Sequence, residues 1–165
     1  MLATLLPGAA ALLLIGAALH DIAARTIPNW LCAALAGIGL ILRITDGTIV
    51  SGLLAAGLVF ALALLCWLRR WLGGGDAKLL AAVALVLPPT QVPTSLAVIA
   101  IGGGFLGLLY LALRPLIGRP GNARPRGLLA RICRAEQFRL SRGGPLPYAV
   151  SIAAGALITL FASGS

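Results

Sequence analysis

Residues 49–68 read IVSGLLAAGLVFALALLCWL. No charge interrupts these twenty residues. A helix of that length rises about 30 Å, the thickness of a bilayer's hydrocarbon core. A membrane strand would alternate apolar and polar side chains, and this run does not. Inside lipid the backbone must satisfy its own N–H and C=O groups, so the segment reads as a helix.

Working outward, similar runs recur along the 165 residues, which are 60% hydrophobic and only 10% charged. Mean hydropathy is +1.04. Soluble domains carry about 25% charged residues, so the fold class is all-α, a polytopic membrane protein with about six spans. The first is expected at Leu2–His20, the second at Asn29–Ile44 behind Pro28, and the third at Ile49–Leu68. Pro88, Pro89 and Pro93 suggest a break near PPTQVP, giving spans near 77–92 and 94–114. The triplet Gly102–Gly104 is a rival break point. The last span is expected near Pro147–Phe161. The whole chain, 1–165, reads as a single membrane-embedded domain.

Basic residues set the expected orientation. With the N-terminus outside, loops near 21–28, 69–78 and 115–146 face the cytoplasm and, counting Arg114 at the edge of the last, hold twelve of the thirteen Lys and Arg residues. Only Arg43 lies outside, and both termini fall on the periplasmic side. The same distribution accounts for the net charge of +9 without a nucleic-acid partner. No Lys or Arg precedes Arg25, whereas a secretory signal places its charge first, so the first run is expected to stay as a span. In RGLLARICRAEQFRL (126–140), Leu128, Leu129, Ile132, Cys133 and Leu140 share one face and Arg126, Arg131, Arg134 and Arg139 fill much of the rest. The pattern fits an amphipathic helix on an anionic inner leaflet, or equally a plain basic topology anchor. Cys32, Cys66 and Cys133 form no CxxC pair and His20 stands alone. No metal or cofactor is expected, and the cysteines read as packing residues.

The four acidic residues are Asp21, Asp46, Asp76 and Glu136. Asp21 closes the first span and Asp76 opens the fourth, so both emerge on one side. Asp46 lies on the other side, and Glu136 sits among arginines. Two carboxylates brought together repel, so one can keep its proton while the other ionises. Such a pair can activate water against a peptide carbonyl. The plainer reading makes each Asp a helix cap, with Asp76 ahead of a helix starting at Ala77. Gly73, Gly74 and Gly75 would give a substrate backbone room to approach.

Three motifs then occur in order: DIAARTIPNWL (21–31), GGGDAKLLAA (73–82) and GPLPYAVSIAAG (144–155). Together they resemble the type IV prepilin peptidases, GxGD membrane aspartyl proteases whose motifs read D…R.IPN.L and GxGDxKLxAA, with PY or PF opening the last helix. The resemblance implies cleavage of a prepilin or pseudopilin at the cytoplasmic face of the bacterial inner membrane, after a glycine ending a short basic leader. It implies Asp21 and Asp76 as the catalytic pair. Arg25, Pro28, Asn29, Gly73, Gly75 and Lys78 become supporting motif residues. Longer members carry a zinc-binding cysteine insert and also methylate the new N-terminus. Here the first loop is a few residues long, which resembles the short peptidases of tight-adherence (Flp-type) pilus systems, the TadV/CpaA form, and puts methylation in doubt. A small proton-coupled transporter or channel is the alternative, because intramembrane carboxylates also mark proton paths. A silent scaffold in a secretion machine is a third.

Overall fold

The computed structural model describes residues 2–113, 127 and 146–162. Six α-helices form there: α1 (Leu2–Ala24), α2 (Asn29–Thr45), α3 (Ile49–Leu68), α4 (Gly74–Val86), α5 (Val92–Leu113) and α6 (Tyr148–Ala162), with a 3-10 turn at Pro89–Gln91 between α4 and α5. No strand occurs among the described residues. Leu5–Ala24, Ile49–Leu68 and Pro89–Leu113 are long and apolar enough to cross a membrane, while α2 and α6 are shorter apolar helices. The chain is a membrane protein built of apolar helices. The amphipathic segment expected within 115–146 lies outside the described residues.

The third helix has the boundaries its sequence predicts. The fourth does not. It begins at Gly74 and stops at Val86, well short of residue 92. Two consecutive prolines cause the early stop, because the residue before a proline is pushed out of the α region and proline itself donates no N–H. Leu87 is extended, with ψ 147°, and the 3-10 turn then leads into α5. At thirteen residues α4 rises only about 20 Å. The rival break at Gly102–Gly104 is uninterrupted helix.

This short helix is the centre of the bundle. It packs against α2, α3 and α6, α1 packs on α2 and α6, and α5 packs on α6. Leu79 and Val83–Val86 of α4 are buried, along with Leu14, Leu35 and Ile152 from neighbouring helices. The outer faces of α3 and α5 instead expose large apolar residues such as Leu54, Leu58, Ile101 and Phe105. In water such faces would cost free energy, and in a bilayer they meet lipid.

Helix ends set the corners. After α2, Gly47 takes a left-handed φ of 66°. Its N–H donates to the Ile44 carbonyl and that of Thr48 to the Arg43 carbonyl, which closes the helix with a Schellman pair. After α3 the same pair forms, with Arg70 N–H to Trp67 and Trp71 N–H to Cys66. There the left-handed residue is an arginine, with φ 61°. After α1 the left-handed residue is again an arginine, Arg25, with φ 55°, and its N–H reaches the Asp21 carbonyl at 2.8 Å.

Candidate active site

Asp21 occupies the last turns of α1 and is buried, at 6% exposure. A carboxylate in such a place needs a donor. The N-terminus of α6 supplies one: Ala149 N–H donates to Asp21 Oδ2 at 3.3 Å. First-turn amides have no partner within their own helix, and they sit at the positive end of the helix dipole.

Asp76 stands ahead of the apolar run that begins at Ala77. Since α4 begins at Gly74 with Gly73 as its N-cap, Asp76 is the third residue of the helix rather than its cap. Its carboxylate accepts the Gly73 backbone N–H, the reach-back half of a capping box. The capping role foreseen for Asp76 is therefore present in altered form, and it holds the side chain at the site instead of competing with it. Burial, then the charge of Asp21, raises the Asp76 carboxyl to about 6, while the Gly73 hydrogen bond and the Arg25 charge oppose the rise. The two aspartates thus share one electrostatic neighbourhood at one end of the bundle.

The glycine triplet makes room first for the chain's own side chains. A Cβ on Gly73 would lie 2.7 Å from Asp76 Oδ2, one on Gly74 3.2 Å from Trp67 Nε1, and one on Gly75 3.2 Å from Ile27 Cβ. The chain's own side chains use that space, and Gly73 in particular lets the Asp76 carboxylate fold back.

The other motif residues divide into two groups. Arg25 lies with the aspartates, its Nη2 donating to the Tyr110 hydroxyl at 3.5 Å. Pro28 is the extended N-cap of α2. Lys78 and Asn29 bond each other, Nζ to Oδ1, at 2.9 Å on an exposed surface. Lys78 follows Asp76 by two positions, about 200° around the helix, so it faces away from the pair. Asp46 is at the far end, in an ion pair with Arg43 at 3.0 Å.

Sequence reasoning did not find Tyr110 or the Ala149 amide. A backbone N–H leaves no residue-type signal, although the PY dipeptide marked its location. Among the described residues, no group of His, Cys, Asp or Glu side chains could hold a metal ion. A buried and a half-buried carboxylate beside an arginine suit proton transfer to and from a water or a carbonyl oxygen.

A family model described as the type IV leader peptidase family matches residues 8–112, which include both aspartates and the glycine triplet. No curated protein matches the chain, and no solved structure does.

Proposed function

The chain belongs to the type IV leader peptidase family, and from that premise we propose that it is a multi-pass membrane aspartyl endopeptidase acting on prepilins or pseudopilins. The observation that carries the reading is the meeting of Asp21 and Asp76, from the ends of separate helices, in one partly desolvated site. In the proposed step, the ionised carboxylate takes a proton from water as the water oxygen bonds to the scissile carbonyl carbon. The protonated carboxyl donates to the carbonyl oxygen. Collapse of the tetrahedral intermediate breaks the C–N bond, and the departing amine leaves with a proton returned by the pair. Proton binding belongs to the pair jointly, and Asp76, raised to about 6, marks where its upper step lies. The left-handed Arg25 holds its positive charge beside the two acids, and the Gly73 N–H fixes Asp76.

The substrate we propose is a short basic leader followed by an apolar helix, of the Flp type, cut at the cytoplasmic face of the inner membrane. The connection between α1 and α2 spans only residues 25–28 and holds no cysteine, so we assign cleavage without N-methylation. Residues 1–165 act as one peptidase unit in this reading, with 115–146 on the anionic inner leaflet. Co-expression with candidate prepilins, followed by mass analysis of the product N-terminus, tests all of this together. The expected product begins after a leader glycine and is unmethylated. An uncut prepilin would overturn the assignment.

A further inference from the structure

Helix α3 packs on α4 and helix α5 on α6, and α3 and α5 are not packed along each other. A cleft of about 330 Å³ lies between them. Ala63 and Cys66 of α3 form one wall and Leu96 and Ala100 of α5 the other, with Leu80 of α4 and Tyr148 of α6 as floor. The lining is apolar apart from the tyrosine hydroxyl, the thiol and the Trp71 indole N–H. Leu80 is four residues after Asp76, so both lie on the same face of α4. Tyr148 stands near both Asp76 and Cys66. A Cβ on Gly103 would lie 2.6 Å from its ring, so this α5 glycine allows the ring to approach the helix closely. The floor of the cleft, at Leu80 and Tyr148, therefore lies on the face of α4 that carries Asp76.

A second, wider groove of about 530 Å³ lies across α4, bordered by Ala36, Phe60, Ala82 and the Lys78–Asn29 pair. It faces the side of α4 that Asp76 does not.

We propose that the α3–α5 cleft docks the apolar helix that follows the scissile bond, entering sideways from the bilayer. The proposal rests on the leader-peptidase reading and deepens it. An apolar segment with a basic leader matches the cleft in two respects. Its helix meets an apolar trough, and its charged leader crosses the acidic end formed by Asp21 and Asp76. A lipid chain would match only the trough.

The test uses full-length protein in vesicles with a full-length prepilin. Cleavage by the wild type is measured first, and its absence would overturn the leader-peptidase reading and the docking proposal with it. A trapping form then carries Asp76→Asn, Cys32→Ala and Cys133→Ala, leaving Cys66 as the only thiol. Single cysteines are placed along the first three turns of the prepilin's apolar segment, and a short bismaleimide joins neighbours. Cross-links to Cys66 are expected at prepilin positions recurring every three or four residues. A control with Cys66→Ala and Ala36→Cys, in the second groove, is expected to give none. Cross-links from the control alone, or none at Cys66 in a protein whose parent cleaves, would overturn docking alone. A second arm uses Ala100→Trp, at an exposed cleft position. It should raise KM for prepilin at least tenfold while kcat changes less than twofold. An unchanged KM would make the cleft a lipid crevice only and overturn the proposal.

Discussion

The two ends of the bundle treat buried charge in opposite ways. At the end near Gly47, the buried Arg43 guanidinium pairs with Asp46 at 3.0 Å, donates to Thr48 Oγ1 at 3.2 Å and reaches the Val86 carbonyl at 3.4 Å. Its positive charge sits at the C-terminus of α4, where the helix dipole favours it. The corner beside it turns on a glycine, the residue with no penalty for left-handed backbone. At the other end, two carboxylates of like charge are set close together. The corners there turn on Arg25 and Arg70, each in a conformation that costs a non-glycine residue about 1 kcal/mol. One end is arranged to relax, and the other holds strain and repulsion. Strain of this kind persists where surrounding structure enforces it, typically at functional sites.

That contrast can be broken first at the acids. Asp21→Ala should reduce prepilin cleavage at least about a thousandfold, the scale on which catalytic groups act. Asp46→Ala should change it less than about threefold, since Asp46 is half exposed and lies at the far end of the bundle from the site. Quantifying mature pilin at equal membrane abundance compares them directly. Equal losses would erase the distinction between the ends.

Gly73→Ala tests the geometry more finely. The added methyl would press on Asp76 Oδ2, and a displacement on the order of 1 Å at a reacting group costs about a hundredfold. We expect a fall of about ten- to a hundredfold in kcat, read from initial cleavage rates.

The burial of Asp76, and with it the repulsion from Asp21, should also appear as a pH dependence of stability. Asp76 binds its proton more tightly in the folded protein, up to about 6, than in the unfolded chain at 3.8. The folded state then holds more protons between those values, so stability falls as pH rises from about 4 to about 6 and levels off above. Thermal unfolding of the detergent-solubilised protein should show this fall, and Asp76→Asn should flatten it.

The smallest expected effect concerns the corners. Arg70→Gly should stabilise by up to about 1 kcal/mol by removing left-handed strain, while Gly47→Ala should destabilise by a similar amount. Unfolding midpoints distinguish the two signs.

Much of this plan was legible in the sequence because membrane helices are written in long apolar runs. The bounds of α3 and the break at PPTQVP followed from composition and from proline's missing N–H. The short reach of α4 was harder, because the expected span was carried through Pro88 and Pro89 to residue 92 while proline geometry ends the helix at Val86. Asp21 and Asp76 could be paired by counting spans. The groups around them could not be read: the Ala149 amide is backbone, and Arg25's left-handed turn runs against its own propensity. The glycine triplet was visible, but its use was not, since sequence does not say whether free space is filled by substrate or by Asp76 itself. Lys78 stands two residues from Asp76 yet points elsewhere because helical periodicity separates them.

The account depends on Asp21 and Asp76 acting as one unit, and shape-preserving replacement tests that most directly. Purified protein in vesicles would be given a full-length prepilin, and intact and cut forms measured by mass for wild type, Asp21→Asn and Asp76→Asn. The account predicts cleavage by the wild type and none above background in either variant, with both variants folded and membrane-inserted. Cleavage retained in either one would contradict it.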